Sequence, residues 1–332
     1  MILSSEEEEW VYSSAKDLGF LEAKVIPLTN DPNYPVYQNW VDKGFHQPLE
    51  YLNRNNQFRE NPKLLGEDLN SAFVFIHPYP IEFESKWVAR YAWGKDYHST
   101  MKAKLFELAE NFQNKFNSLK EHRVCVDTAP ILERSLAQQS GLGWIAKNGC
   151  LIHREHGSFF MIGCWLTSFK VHKKQTPASF HCGTCTRCLD QCPTDAFIQP
   201  GLLDAQKCLS TVTIENRNHI DQKFIPHLNE QVFGCDICQE VCPWNRKHHY
   251  NIENEYLPHL EELLRMPEQN FRDYFRKTAM DRPGWVGLRR NFLVAAAHQE
   301  DISNQLFIDH LDHPKDTIKI TAQNILNWRK DK

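Results

Sequence analysis

No apolar run in this 332-residue chain approaches the ~20 residues needed to cross a bilayer. The N-terminus is acidic, with Ser4 and Ser5 followed by Glu6, Glu7, Glu8 and Glu9. It has neither the basic start of a signal peptide nor a twin-arginine pair. A cytoplasmic protein with no membrane partner is expected. Neither G-x-G-x-x-G nor a P-loop occurs, so flavin or nicotinamide chemistry has no sequence support. The net charge of −4 does not by itself announce a nucleic-acid partner. No heptad pattern is readable, so no oligomeric state is specified.

What is present is thiol. Eight of the eleven cysteines fall in the window 182–242. In a reducing compartment such density points to metal or catalysis rather than disulfides. The first run is Cys182-x2-Cys185-x2-Cys188-x3-Cys192-Pro193. The second is Cys235-x2-Cys238-x3-Cys242-Pro243, with Cys208 upstream. In bacterial two-cluster ferredoxins the cysteine before proline ligates the other cluster. By that rule one [4Fe–4S] cluster takes Cys182, Cys185, Cys188 and Cys242, and the other takes Cys192, Cys208, Cys235 and Cys238. Two structural zincs are the competing assignment, but three cysteines in seven residues crowd a tetrahedral site and both Cys-Pro ends go unexplained. Cys125, Cys150 and Cys164 are expected to be small buried hydrophobes.

The chain divides into three parts. A serine cap and an acidic first turn predict a helix over 4–18, and 71–79 reads as a buried strand closed by Pro78 and Pro80. Met101, Leu105, Leu108, Phe112, Phe116 and Leu119 recur at helical spacing. A strand at 123–126 delivers Asp127 to its end, a helix follows over 131–139, and 158–167 is a further strand. The alternation predicts an α/β domain over 1–175. Residues 176–250 form the cysteine module. Residues 251–332 read as helices, one starting at Arg289 and one at 313–316, in the manner of a HEAT-type unit or a plain helical hairpin. Basic residues gather at Lys147, Arg154, Lys170, Lys173, Lys174 and Arg187, and again at Arg272, Arg276, Lys277, Arg282, Arg289 and Arg290. Each group is a candidate footprint for an anionic substrate or an ordinary solvated face.

The pieces GKDYH (94–98), VDTAPILER (126–134), GLGWIAKN (141–148), LIHREHGSFF (151–160) and GCDICQEVCPWN (234–245) occur in one collinear order with the cysteine runs. Together they resemble the epoxyqueuosine reductase family, over residues 45 to 250. The resemblance implies a cobalamin-binding α/β domain, a bacterial-type two-cluster ferredoxin module and a helical HEAT-like tail, related to reductive dehalogenases. It implies reduction of epoxyqueuosine to queuosine at the wobble position of tRNA, the last step of queuosine biosynthesis. Cobalamin, fed by two [4Fe–4S] clusters and an unnamed low-potential electron donor, would supply the reducing power. Asp127 matches the proton-donating aspartate. One departure is visible: Ala146 stands where glycine is expected. The family does not use the D-x-H-x-x-G cobalamin motif, and Asp96-x-His98 lacks its glycine, with Met101 in that place, so His98 is not assigned as a cobalt ligand.

An epoxide oxygen is a poor leaving group until protonated, so Asp127 must hold a proton near neutral pH. Burial beneath a corrin would raise its pKa accordingly. Arg90, Lys147, Ser210, Cys235 and Asp236 join Asp127 as candidates for lining cobalamin. Arg217, Arg289 and Arg290 are the candidates for tRNA phosphates, and Trp144, Trp244 and Trp285 for base stacking, though a core role competes for each tryptophan. Two other classes use the same cysteines: a cytoplasmic cobalamin-dependent reductive dehalogenase and a non-catalytic two-cluster electron carrier. The basic tracts argue against the first, and the large N-terminal domain against the second.

Anaerobically purified protein is expected to contain about eight iron and eight sulfide per chain. Two zincs and a colourless solution would overturn the cluster assignment.

Overall fold

The computed structural model describes residues 1–79, 87–172, 175–229, 231–246 and 260–331. At its centre is a four-stranded sheet of β1 (Glu22–Pro27), β2 (Ser71–Pro78), β3 (His122–Cys125) and β6 (Phe160–Thr167), in the order β1-β2-β6-β3. A hairpin of β4 (Trp144–Ile145) and β5 (Leu151–Ile152) precedes β6. The fold is mixed α/β, yet every pair in the central sheet is antiparallel. Alternating strands and helices along a chain usually announce parallel pairing. Here β2 and β6 run in full register from Ser71 opposite Thr167 to Pro78 opposite Phe160.

The period-two alternation of β2 sorts its side chains into two cores. Phe73 and Phe75 point into one, with Val11, Leu105, Phe112 and Trp165 from the first helix, the long helix and β6. Ala72, Val74 and Ile76 point into the other, with Leu136, Ala137 and Cys164. Helices cover both faces, which is why β2 reads as an unbroken apolar run. Cys125 and Cys164 are buried in the second core, as expected of small hydrophobes.

Local capping sets where the helices begin. The helix Ser5–Asp17 opens with a reciprocal box: the Glu7 N–H donates to Ser4 Oγ at 3.2 Å, and the Ser4 N–H donates to Glu7 Oε2 at 2.9 Å. The long helix Tyr97–Phe116 starts four residues before the first apolar residue of its pattern. Asp96 caps it by accepting from the His98 N–H at 3.0 Å. Strand β1 and the helix Tyr34–Asp42 are elements the sequence reading missed.

The tail contains the helices Leu260–Arg265, Glu268–Phe275, Gly284–Ala297, Asn304–Ile308 and Asp316–Asp331. Gly284–Ala297 begins five residues ahead of the expected Arg289. Its core also takes in Leu209, Val212, Ile220, Ile225, Leu228, Val232 and Phe233, together with Val88 and Ala92. The expected boundary at 250/251 lies outside the described residues, as do Pro80, Lys173 and Lys174, and the apolar core runs across it.

The structure corrects two of the arginines assigned to tRNA. Arg290 is 0% exposed. Its guanidinium donates to the carbonyls of Asn216, Asn218 and Val212 and to Asn291 Oδ1, so it props the segment 212–218 from inside. Burial pushes its pKa down to about 9. Arg289 is half-buried, lies over the Phe271 ring and donates to the carbonyls of Leu264 and Met266 at a helix end. Arg217 is exposed and donates to the Arg282 carbonyl at 2.8 Å. Arg290→Met leaves three carbonyls short of a donor, one of them on buried Val212, and is expected to cost about 3 kcal/mol. Urea unfolding checks this, and an unchanged midpoint would overturn the strut role.

Candidate active site and the cysteine loops

Strand β3 ends at Cys125, and two residues later the chain turns through Asp127 at φ +57. A non-glycine residue in this left-handed region is uncommon, and aspartate is among those that tolerate it. The turn aims the carboxylate at the first turn of the helix Tyr97–Phe116. The Tyr97 hydroxyl donates to Asp127 Oδ2 at 3.0 Å, and His98 Nε2 lies 2.9 Å from the same oxygen. The other ring nitrogen, Nδ1, is 2.8 Å from Asp96 Oδ1. Only a protonated imidazole donates from both nitrogens, so this arrangement favours the cation.

The electrostatics follow from these contacts. Partial burial pulls His98 down, but its hydrogen bonds to Asp127 and Asp96 outweigh that and raise its pKa above 6.5. Crowding favours a neutral Asp127, but the hydrogen bonds and charge of His98, with Tyr97, hold its pKa below the usual 3.8. The raised pKa was expected of Asp127 beneath a corrin; in the protein alone the shift is downward. The Asp127 side chain is 64% exposed. Sequence reasoning had set His98 aside as a metal ligand and missed it as Asp127's partner. The cue was in the chain: a carboxylate two residues before a histidine at a helix start.

Around Asp127 stand Tyr91 and Arg282. Tyr91 packs edge-on to Tyr97 at 5.7 Å. Burial raises its pKa, and Asp236 and Asp127 both add to the rise. The Arg282 guanidinium bridges both oxygens of Glu215 at 3.0 and 3.2 Å, lies over the Tyr51 ring and contributes to lowering Asp127. Lys277, also of the second basic group, accepts from the Asp96 N–H through its carbonyl at 3.1 Å. Arg272 is paired with Glu268 and stacked on Trp285.

Asp236 closes the far side. It is 8% exposed, and its Oδ2 accepts from the Arg90 backbone N–H at 2.7 Å. Burial lifts its carboxyl to about 6. The strip 87–92 runs against 232–236, with the Ala89 N–H donating to the Phe233 carbonyl at 2.8 Å. Gly234 allows that approach: its φ is +73, and a Cβ there would sit 2.5 Å from Ala89 Cβ. The Arg90 side chain lies over Phe159 and reaches Glu240 at 3.4 Å, while its Nε is buried with no partner among the described residues. Ser210 lies in the first turn of the helix Leu209–Ile214, which begins after Cys208. Thr213 of that helix accepts from the Gly234 N–H at 3.0 Å.

The thiols of the two runs influence one another electrostatically. Burial raises Cys188, and Cys242, Cys182 and Cys185 raise it further; burial likewise raises Cys242, with Cys182 and Cys185 adding. Burial pushes Cys235 up to about 12, with Cys208 and Cys192 contributing. Burial also raises Cys208, with help from Cys192. Cys238 is raised by burial, with Cys150, Cys235 and Cys208 adding. Cys242 of the second run is packed beside Cys182 of the first, and Cys192 of the first run contributes to raising Cys208 and Cys235. Among the described residues no three His, Cys, Asp or Glu side chains close in as tightly as a single metal ion requires. A four-iron core is larger and holds its thiolates further apart. Buried beside Cys182 and Cys242 is the Trp144 indole N–H, without a partner among the described residues. A sulfur core would give it an acceptor. The residues present fit [4Fe–4S] clusters.

Two further expectations change, and for Trp144 the core role expected of it holds. Lys147 Nζ donates to the carbonyls of Gly183 at 2.7 Å and Cys185 at 2.9 Å, so its ammonium is engaged by the first cysteine loop rather than by the Asp127 pocket. Cys150 is not in an apolar core. Burial raises its thiol to about 11, and Cys242 and Cys188 add to the rise, which places it beside the cysteine loops. Trp144 is buried against Trp244 at 4.9 Å and His181 at 5.0 Å, so it is a wall of the first loop and not a platform for a base.

The fold and the paired thiol loops define a [4Fe–4S] protein whose α/β domain carries a carboxylate site beside the second loop. The model of the "4Fe-4S double cluster binding domain" matches residues 181–245, and that of "Epoxyqueuosine reductase QueG, DUF1730" matches 59–128. The epoxyqueuosine reductase of Cyclobacterium marinum is 36% identical over 292 residues, 85% of this chain and 94% of that protein. The Escherichia coli K12 enzyme is 34% identical over 318 residues, 90% of this chain and 83% of that protein. The structure of epoxyqueuosine reductase from Streptococcus thermophilus matches 98% of this chain and 90% of its own with a TM-score of 0.86 at 26% identity. Another, solved with a tRNA-Tyr epoxyqueuosine-modified stem loop, gives 0.85 at 26% identity over 97% of this chain and 90% of its own. The chain belongs to the epoxyqueuosine reductase family.

The His98–Asp127 contact has a defined pH window. Its contribution from His98 is full below about 6.5 and is lost as pH climbs through the raised imidazole value. Its contribution from Asp127 is full above about 3.8 and is lost as pH falls through the lowered carboxyl value. The His98 ring is expected to titrate above 6.5 by NMR, and Asp127→Asn should bring that midpoint down. A midpoint unmoved by the substitution would show that the two groups are not coupled.

Proposed function

We propose that this chain reduces epoxyqueuosine to queuosine in tRNA, in the cytoplasm, with cobalamin at the Asp127 site and electrons arriving through the two clusters from a low-potential donor. One observation supports the placement: a single strip links the second cysteine loop to Asp127, since the Arg90 N–H donates to Asp236 and the next residue, Tyr91, packs on Tyr97, whose hydroxyl donates to Asp127. Cobalamin in its reduced state would supply the strong reductant that opens an epoxide. The residues that would hold it are the Arg90–Asp236 strip, with the buried Arg90 Nε as a donor for a corrin amide, and Ser210. Lys147 is withdrawn from that role by its contacts.

Loss of the epoxide oxygen as water takes two electrons and two protons. Asp127 is positioned to protonate the oxygen, but in the protein alone His98 and Tyr97 stabilise its anion. The proton at rest therefore belongs on His98, held between Asp96 and Asp127, with Nε2 2.9 Å from Asp127 Oδ2. Covering the open face of Asp127 with cofactor and nucleoside removes solvent and favours passing that proton to the carboxylate. Arg282, half-exposed beside Asp127, is the cation best placed for a neighbouring phosphate.

The test is anaerobic turnover of epoxyqueuosine-containing tRNA with cobalamin and a low-potential reductant. Asp127→Asn is expected to slow deoxygenation by about 10²–10⁴-fold while vitamin B12 still binds. A near wild-type rate would remove Asp127 from the chemistry, and a wild-type protein with no B12 affinity would remove the cofactor.

A further inference from the structure

The turn between β4 and β5 touches both cysteine loops. Lys147 places its ammonium on two carbonyls of the first loop, those of Gly183 and Cys185. Its neighbour Asn148, 8% exposed, donates from Nδ2 to the carbonyl of Cys238 in the second loop at 3.1 Å. The Asn148 Oδ1 accepts from the Cys150 N–H at 3.1 Å, which fixes the side chain. The Lys147 carbonyl accepts from the Gly201 N–H at 2.8 Å, which ties the hairpin Phe197–Gln199/Leu202–Leu203 to the same turn. The ties differ in charge: a full cation on the first loop, a neutral amide on the second.

We propose that Lys147 and Asn148 form a strap that positions both cluster loops on the α/β domain, and that the Lys147 charge makes the first cluster the easier of the two to reduce. The physical reason is direct. Reduction adds one negative charge to a cluster, and a fixed cation on the carbonyls between Cys182 and Cys188 stabilises the added charge. The same carbonyls, drawn toward the ammonium, hold the loop open for its four thiolates. Lys147 is thus a positioning residue for electron entry, acting through the loop. The inference rests on the cluster assignment and not on the reduction of tRNA, so it survives or fails separately from that reading.

The experiment uses full-length, reconstituted protein in an anaerobic redox titration followed by EPR, with iron analysis on each sample. Lys147→Gln keeps a hydrogen-bonding end and loses the charge. It is expected to make reduction of one cluster about tenfold less favourable, a fall of about 59 mV for a one-electron couple, with the other cluster unmoved. Lys147→Arg is expected to titrate as wild type. If Lys147→Gln sheds half its iron while the second cluster's signal stays, the positioning role stands, and Lys147→Arg must then restore the full iron. Unchanged midpoints at full iron, equal shifts in both clusters, equal loss from both, or an arginine variant that behaves like glutamine would each overturn the proposal.

Discussion

One juxtaposition organises the structure: the two cysteine runs lie against each other, with Cys242 of the second packed beside Cys182 of the first. On the ligation expected from the spacing, the cysteine that closes each run completes the opposite cluster, so neither loop makes a four-thiolate site alone. The two loops must fold against each other, and everything that brings them together becomes part of the metal chemistry: the β4–β5 turn, the helix after Cys208, and the strip 87–92. The second loop is linked to Asp127 through the strip 87–92. Its Asp236 is held by the Arg90 backbone N–H, and that strip continues through Tyr91 to the helix bearing Tyr97 and His98.

Much of this was legible because the relevant signals are local. Thiol spacing and the two Cys-Pro ends are written in consecutive residues, and so are the serine–glutamate cap at Ser4 and the unbroken apolar run of β2. Pairing direction was not legible. β2 meets β6 across some ninety residues, and their apolar patterns suit parallel or antiparallel neighbours equally when both faces are covered. Strand β1 escaped notice because Glu22 and Lys24 interrupt its apolar residues, though they pair with each other at 2.8 Å on its surface.

The candidate site was legible in its principal residue and not in its surroundings. Asp127 was marked by its motif, whereas its electrostatic state depends on His98 and Arg282, which arrive from distant parts of the chain. Charge was the least reliable guide. Arg289 and Arg290 look like an exposed basic pair, but the residues that follow, 292–297, are all buried and carry the arginines into the core with them. An arginine satisfied by carbonyls is a structural cation, and nothing in its immediate sequence separates it from a solvated one. Lys147 repeats the lesson: a lysine after a glycine-rich bend suggested a phosphate, and it found peptide oxygens.

The helix Leu209–Ile214 starts at a thiol of the second set and buries Leu209 and Val212 among the tail helices. With a cluster held by Cys208, metal retention and helical packing would be coupled through this helix. A lesion deep in the C-terminal bundle, far from any cysteine, would be felt as oxygen lability and bleaching at the second cluster before it was felt as lost solubility. The tail, on this account, is ballast that keeps an electron relay in register.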